Sequence, residues 1–534
     1  MNPKEILNFC IEKGFLLDKE VLNLFSEASD EESVKLILEK IKTHTHQKII
    51  TKNVFFENKD QVTKFFLDLP IENQRKLEKL KIKLGLSIEI SKESEIITKA
   101  SEKISGNFAS DEKMKINVVK EVEGVKVMSS NSISGKKLVV TDFIKYFRNR
   151  FFEMKNMLQE HSELDSLISI DKISQNRKGI SIIGLVGEKR ITKNKNIIFE
   201  VEDLTGTIRV LINKEKGELY KKAEEVSLDS VVGFKGSGSR EILFVNDIIF
   251  VDSVLLERKK SPQEEYALFI GDLHFGSKKF LEENFLKFID YLNGEIPNTP
   301  EVKKIKYLFI VGDLITGVGN YPGQEKDLKI VDLEEQFIEI TKLLSKIRKD
   351  IKIIISPGNH EGVRLMEPQP VYDEKYAWPL HELENVIFAG NPSEVNIGAM
   401  KDFSGFNVLT YHGFSFTFYA NTVSRLMEKK AMNSPEEIMK YLLKNRHLAP
   451  THASVQYFPS SERDHHLIRT IPDIFVSAHT HKNAVSYYNN ILLISVSSWE
   501  SFTPYQEKFG NTPDYCKVPM FNLKTRAVKI LDFE

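Results

Sequence analysis

A multidomain chain is predicted: a helical N-terminal module, a small β-barrel, and a layered α/β domain. Three observations predict it. At 534 residues the chain exceeds what one hydrophobic core sustains, so about three domains are expected. The apolar period changes twice, from helical spacing to short strands bounded by turn residues, and then to apolar runs alternating with helical stretches. A Ser-, Lys- and Glu-rich stretch whose only aromatic is Phe108 separates the first part from the second.

Residues 1–75 place Ile6, Phe9 and Cys10, then Val34, Leu36, Ile37 and Ile41, at roughly helical spacing with polar residues between them, the pattern of short amphipathic helices. Residues 76–138 are expected to form a flexible linker, because the composition from about 86 to 136 buries too little apolar surface to order itself. The third part, residues 139–257, opens with TDFIKYFRNRFFEMKNML, in which Thr141 is the expected N-cap. Phe143, Phe147, Phe151, Met154 and Leu158 lie along one side of that helix. Four apolar segments follow, GISIIGLVGEKR, NIIFEVEDLTGTIRVLIN, SVVGFKGSGS and EILFVNDIIFVDSV, with a hairpin turn at Asp203-Leu204-Thr205-Gly206. About five short strands in so short a span fit a Greek-key barrel of the OB type. After the charged, proline-containing hinge RKKSPQEE, residues 258–534 alternate apolar runs with helical stretches such as LEEQFIEITKLLSKI, which predicts a layered α/β domain.

Composition excludes several classes. The net charge is −1, so no global basic field draws nucleic acid, and any contact with DNA is local or shared with a partner. Cys10 and Cys516 are the only cysteines, too few for a disulfide framework or a thiolate metal site. The N-terminus lacks a signal-peptide core and no run approaches the ~18 apolar residues of a membrane span. A cytoplasmic protein without a membrane partner is expected.

Five apolar runs end in metal-competent side chains. YALFIGDLHFGS delivers Asp272 and His274, IKYLFIVGDL Asp313, IKIIISPGNHEG Asn359 and His360, FNVLTYHGFSF His412, and PDIFVSAHTH His479 and His481. In open α/β sheets the carboxyl ends of the strands are where sites are built. Residues two apart on an extended segment share a side, so Asp272 is expected to act with His274 and His479 with His481. Two carboxylates, one amide oxygen and four imidazoles suit two divalent ions with one carboxylate bridging them.

The ordered set D-x-H, G-D, G-N-H-E, H-G and A-H-T-H resembles the calcineurin-like metallophosphoesterase superfamily, whose double-strand-break repair nucleases use two Mn²⁺ ions. The resemblance implies that Asp272, His274 and His481 hold a first metal, that Asn359, His412 and His479 hold a second, and that Asp313 bridges them. It implies that His360 is the catalytic proton donor and not a ligand. The usual pattern has G-N-H-D and G-H-x-H, whereas this chain has Glu361 and Ala478; neither change removes a ligand, and Ala478 is expected to tighten a turn where Gly is ordinary. The preceding barrel, the GVGNYPGQ loop after Asp313 and the tethered N-terminal module narrow the resemblance to the small subunit of archaeal family D DNA polymerase, over residues from about 165 to 534. That implies a 3′–5′ exonuclease (proofreading) activity on single-stranded or mismatched DNA 3′ ends, and a large catalytic polymerase subunit as partner. It also selects Mn²⁺ from the Mn²⁺, Fe²⁺ and Zn²⁺ that an imidazole-rich shell favours.

Two other classes share these residues: a non-catalytic scaffold subunit with a vestigial site, and a metallophosphatase. All seven ligand positions are filled, which argues against the first; the barrel and tether argue against the second. Elsewhere, His44 and His46 in KTHTHQK repeat the T-H shape without an apolar strand or a matching carboxylate and read as a solvated loop. His447, His452, His465 and His466 read as surface residues, with substrate contact as the alternative. Arg177, Lys178, Lys189, Arg190, Lys193 and Lys195 offer charge on the barrel, but Phe199, nearly its only aromatic in the presumed binding strands, is expected inside. A protein-docking barrel is therefore favoured over one that stacks bases. GSGSRE reads as a turn, since it lacks the ending and the helix of a phosphate loop.

Overall fold

The computed structural model describes residues 3–26, 31–44, 49–50, 124–128, 137–174, 177–460, 463–503 and 512–534. The chain divides into two compact units, Met1–Lys113 and Met114–Glu534. In the first, α1 (Pro3–Glu12), β1 (Leu16–Leu17), α2 (Lys19–Ser26), α3 (Glu31–His44) and β2 (Ile49–Ile50) surround one core, with β1 and β2 paired in parallel. Ile6, Cys10, Phe25, Val34, Ile37, Leu38 and Ile41 fill it, and Asp18 accepts a bond from Val21 N at 2.7 Å to open α2. Residues 51–75 of the expected helical module, residues 76–123 of the expected linker, and His46 lie outside the described residues.

In the second unit, residues of the expected linker form a strand. Val125–Val127 forms β3, which pairs antiparallel with residues 395–397. The short alternation Val-Lys-Val lets Val125 enter the core while Lys126 stays in water.

Helix α4 (Val140–Gln159) begins two residues earlier than expected: Val139 is the N-cap, its N–H donating to Asp142 Oδ2 at 3.0 Å, so Thr141 is already inside the helix. Its buried face is Tyr146, Arg150, Phe151, Met154 and Leu158, while Phe143 and Phe147 are only half-buried.

The barrel comprises β4 (Arg177–Ile191), β5 (Ile197–Glu202), β6 (Thr207–Ile212), α5 (Gly217–Glu224), β7 (Val231–Gly238) and β8 (Ile242–Ile249). It closes in the order β4-β5-β6-β8-β7, with β6 and β8 parallel. Closure works because the long β4 pairs with β5 along one end and β7 along the other. Asp203 Oδ1 accepts from Thr205 N at 2.7 Å and Gly206 N at 3.0 Å, forming the hairpin turn; of the GSGSRE segment, read as a turn, Gly236–Gly238 belong to β7 and only residues 239–241 turn the chain into β8.

The remaining residues form β9 (Tyr266–Ile270), α6 (Glu282–Asn293), β10 (Ile305–Val311), α7 (Leu333–Leu344), β11 (Lys352–Ser356), α8 (Glu374–His381), β12 (Val386–Phe388), β13 (Ser393–Ile397), β14 (Phe406–Tyr411), α9 (Phe416–Thr422), α10 (Ser424–Glu428), α11 (Pro435–Asn445), β15 (Ile474–Ser477), β16 (Ala484–Tyr488), β17 (Ile491–Ser495), β18 (Lys517–Asn522) and β19 (Val528–Asp532). Two six-stranded sheets result, ordered β12-β11-β10-β9-β18-β19 and β16-β17-β15-β14-β13-β3. The central strands β9, β10, β11, β15 and β17 read as nearly unbroken apolar runs because both faces are covered. Along β9, Ala267 and Phe269 enter the core between the sheets, while Leu268 and Ile270 face α6 and α7. The far face of the second sheet packs under α9 to α11. Among the described residues no helix is long and apolar enough to cross a membrane.

Candidate metal centre

The central strands β9, β10 and β11 run parallel in one sheet, as do β14 and β15 in the other, so their carboxyl ends open onto one place. All eight predicted site residues meet there. The loops are stitched together by backbone bonds from Asp272 N to Gly312 O (3.1 Å), His274 N to Asp313 O (3.0 Å), Gly312 N to Ser356 O (2.9 Å) and Ala478 N to His412 O (3.0 Å).

Two clusters of donor atoms stand on either side of Asp313. On one side His274 Nε2 and His481 Nε2 are 3.1 Å apart, with Asp272 Oδ2 4.0 Å from His481 Nε2. On the other, Asn359 Oδ1 lies 2.9 Å from His412 Nε2 and 3.0 Å from His479 Nδ1. Asp313 Oδ2 sits between them, 3.8 Å from His274 Nε2 and 3.4 Å from His412 Nε2. Its other oxygen accepts from His360 N at 2.9 Å, and the His360 ring Nε2 stands 4.0 Å from Oδ2.

The expected reason for this convergence was wrong in one respect. Asp272, His274, His479 and His481 lie beyond the ends of their strands and carry φ of 48°, 50°, 70° and 55°, as Asp313 carries 47°. The side chains are gathered by left-handed backbone, not by alternation along an extended segment. Each such residue costs roughly 1–3 kcal/mol and persists because the packed sheets impose it. Gly312 has φ of 75°, and a Cβ there would strike the His412 ring, so only glycine lets that ring approach Asp313. Ala478 is not among the positive-φ residues; it accommodates its methyl without backbone strain, contrary to the turn-tightening expectation.

Burial and charge set the state of the pocket. Burial pushes the Asp272 carboxyl well up, with Asp313 adding to it. Burial acts upward on Asp313 too, but the His412 and His360 rings hold it well below the usual carboxylate range. Burial holds His479 at about 3 and His481 at about 4, and lowers His274. His412 is the exception: burial opposes its charge, yet Asp313 pushes it up to about 9. Burial thus favours the neutral form of the other three imidazoles. Asp272 Oδ1, buried, has no hydrogen-bond donor. Neutral imidazoles, carboxylate oxygens and an amide oxygen gathered without donors to match are a set that fits divalent cations.

Sequence reasoning missed the residues behind this set. Glu361 accepts from Leu314 N at 2.5 Å, Gly358 N at 2.7 Å and Tyr372 Oη at 2.8 Å, clamping the Asp313 and His360 loops together. Thr316 O accepts from His360 Nδ1 at 2.8 Å and from Asn320 Nδ2 at 2.9 Å, which fixes the His360 ring with Nε2 toward Asp313. A carbonyl can only accept, so Nδ1 carries the proton. His447 and His466, read as surface residues, are fully buried, whereas His452 is exposed and His465 partly so. Lys189, read as charge for DNA, turns inward and donates to Glu224 O (2.7 Å) and Val226 O (2.9 Å). Phe199 is inside the barrel, as expected.

The family model for calcineurin-like phosphoesterases matches residues 267–483, which include every residue of the two clusters. A DNA polymerase II small subunit from Methanothermobacter thermautotrophicus is 35% identical over 397 residues, covering 74% of this chain and 80% of its own length. The Pyrococcus furiosus protein of that name is 36% identical over 417 residues, 76% of this chain and 66% of its own. That of Pyrococcus horikoshii is 34% identical over 478 residues, 88% of this chain and 73% of its own.

Proposed function

The chain belongs to the family of DNA polymerase II small subunits and carries a calcineurin-like phosphoesterase domain, and on that premise we propose that it is a metal-dependent 3′–5′ exonuclease that trims single-stranded or mismatched DNA ends for a cytoplasmic replicative polymerase. One observation carries the reading: Asp313 Oδ2 stands between two donor clusters with the His360 ring beside it.

Asp272, His274 and His481 would hold one divalent ion, Asn359, His412 and His479 the other, and Asp313 both. When bound, the pair supplies Lewis acidity at the phosphate and lowers the pKa of the attacking water. Mn²⁺ is our assignment within the group that imidazole ligands favour over Mg²⁺. The protein's own part is to position and to move a proton. Asp313, anchored through Oδ1 to His360 N, keeps the two ligand sets in register. His360, tied through Nδ1 to Thr316 O, presents Nε2 to the site; in its protonated form it donates from Nε2 to the departing 3′ oxygen while Nδ1–H stays on the carbonyl. That oxygen needs the proton, because an alkoxide is a poor leaving group.

The barrel, which we read as an OB fold, and the phosphoesterase domain together are proposed to dock the large catalytic subunit. Exposed Lys178, Arg190, Lys193 and Lys195 give the barrel charge without a stacking platform, which favours protein over bases. The test is digestion of DNA labelled at its 5′ end by the purified chain, alone and with the large subunit, across Mn²⁺ concentrations. A ladder shortening from the 3′ end and abolished by chelator is expected; intact DNA in both preparations would leave the site without this activity.

A further inference from the structure

Asn359 follows β11 and His412 follows β14, and these strands belong to different sheets. No sheet hydrogen bond fixes the distance between them. A side-chain brace does. Asn391, in the segment that crosses from one sheet to the other, accepts through Oδ1 from His412 N at 2.8 Å. Its Nδ2 donates to Gln369 Oε1 at 2.8 Å, and Gln369 Nε2 donates to Gly358 O at 2.7 Å, immediately before Asn359. Backbone bonds between Gln369 and Asn391, 2.7 and 3.2 Å long, double the link.

The brace is anchored away from the pocket. Asn391 Nδ2 also reaches Glu367 Oε1 at 3.2 Å, and Glu367 Oε2 meets His466 Nε2 at 2.7 Å. Glu367, Gln369 and Asn391 are all buried. A buried chain of polar and ionised groups is seldom more stable than apolar residues of the same volume, so bulk stability is a poor reason for it. What such a chain does supply, once every member is partnered, is a single rigid arrangement.

We infer that Asn391 is the positioning residue of the second ion's ligands, setting the spacing between Asn359 and His412 through the Asn391–Gln369 brace. The inference rests on the two-metal reading proposed above. Removing an outer hydrogen-bond partner of a metal ligand typically weakens metal binding by about 10–100-fold, and a loss in the same range is expected here. The effect falls on one ion, since the brace bonds to His412 N and to Gly358 O, beside two ligands of that ion.

The test is Mn²⁺ titration of the full-length chain by calorimetry, with electron paramagnetic resonance reporting whether two bound ions are magnetically coupled. In Asn391→Ala one site is expected to weaken about 10–100-fold while the other keeps its affinity, and the coupled signal is lost at ion concentrations that saturate the wild type. Gln369→Met, which keeps length and apolar volume, should repeat the effect, and it carries the test if Asn391→Ala does not fold. Asn391→Asp keeps the acceptor for His412 N and should recover part of the loss. Two unchanged sites in a folded variant, or equal weakening of both, would overturn the inference. A wild-type chain that binds no Mn²⁺ would instead remove the two-metal reading on which it stands.

Discussion

Arg150 Nε and Asp464 Oδ2 form an ion pair at 2.6 Å with both side chains buried. Arg150 Nη1 also donates to Pro450 O at 2.5 Å and Asp229 O at 3.3 Å. One guanidinium therefore joins α4 to the barrel and to the phosphoesterase domain. Removing one partner of such a pair leaves a buried charge uncompensated, at a cost of about 3–5 kcal/mol. Arg150→Met is accordingly expected to lower the urea midpoint by that equivalent with an unchanged slope. Arg150→Met with Asp464→Leu together should recover only part of it, because Tyr146 Oη, His447 Nε2 and His466 N also donate to Asp464, and the cycle is read from the denaturation curves.

Acid should loosen the same junction. His447 Nε2 lies 2.8 Å from Asp464 Oδ2, and its Nδ1 accepts from Ala449 N at 3.0 Å, so the ring is neutral in the fold. Burial first, with the Arg150 and His466 charges adding and Asp464 opposing, lowers it from 6.5 to about 3. Between those values the unfolded chain binds the extra proton, so the stability His447 contributes above pH 6.5 is lost as pH falls toward 3. Asp464, held well below its usual range despite its burial by Arg150 and the His447 ring, acts in the same direction below its ordinary value. His447→Gln keeps a donor toward Asp464 without titrating. Its melting temperature should vary less than the wild type's between pH 6.5 and 4, and an identical slope would show that His447 is not the group responsible.

Truncation should distinguish tether from strand. Residues 1–113 form a separate unit, so their removal should leave melting, metal content and large-subunit binding of the remainder largely unchanged. Extending the deletion through residue 128 also removes β3 and exposes the edge of β13. Val125, fully buried, is worth about 2 kcal/mol on burial, and an unpaired edge invites association. A lower melting temperature and more aggregate are expected only for the longer deletion, measured by thermal scanning and gel filtration.

With a net charge of −1, the isolated chain should hold DNA weakly, through local contacts that salt screens. Digestion by the isolated chain is expected to fall steeply between 50 and 200 mM salt, about the range over which phosphate contacts are lost, and less steeply when the large subunit is present. The pairing is checked by initial rates over a salt series.

Much of the centre was legible in the sequence because its donors come from strand ends, where an apolar run stops and a polar residue follows within a few positions. Asp272, Asp313, Asn359, His412 and His479 carry that local signature. The conformation that aims them was not legible: a φ of 48° at Asp272 or 70° at His479 is imposed by packing between sheets, not by the residue. The brace was invisible for a related reason. Glu367, Asn391 and His466 are separated by tens of residues, and no periodicity links them. His447 and His466 read as surface because they sit beside charges in sequence; Asp464 and Glu367, their partners, lie 17 and 99 residues away. Lys189 misled in the same way, since its stem runs inward to cap carbonyls at and just beyond the end of α5. The β3 strand was missed because three residues of alternation are too few to stand out from a polar stretch, although the waiting edge of β13 is enough to order them.

The central claim is that Asp313 joins two ions and that His360 delivers the proton without holding either. Metal content and digestion of DNA 3′ ends, measured together on Asp313→Ala and His360→Ala, test it most directly. Asp313→Ala is expected to lose bound metal and activity together. His360→Ala is expected to keep both ions while its turnover falls by about 10²–10⁴-fold, the usual contribution of a positioned acid. A His360→Ala protein with full metal and full activity would contradict the account.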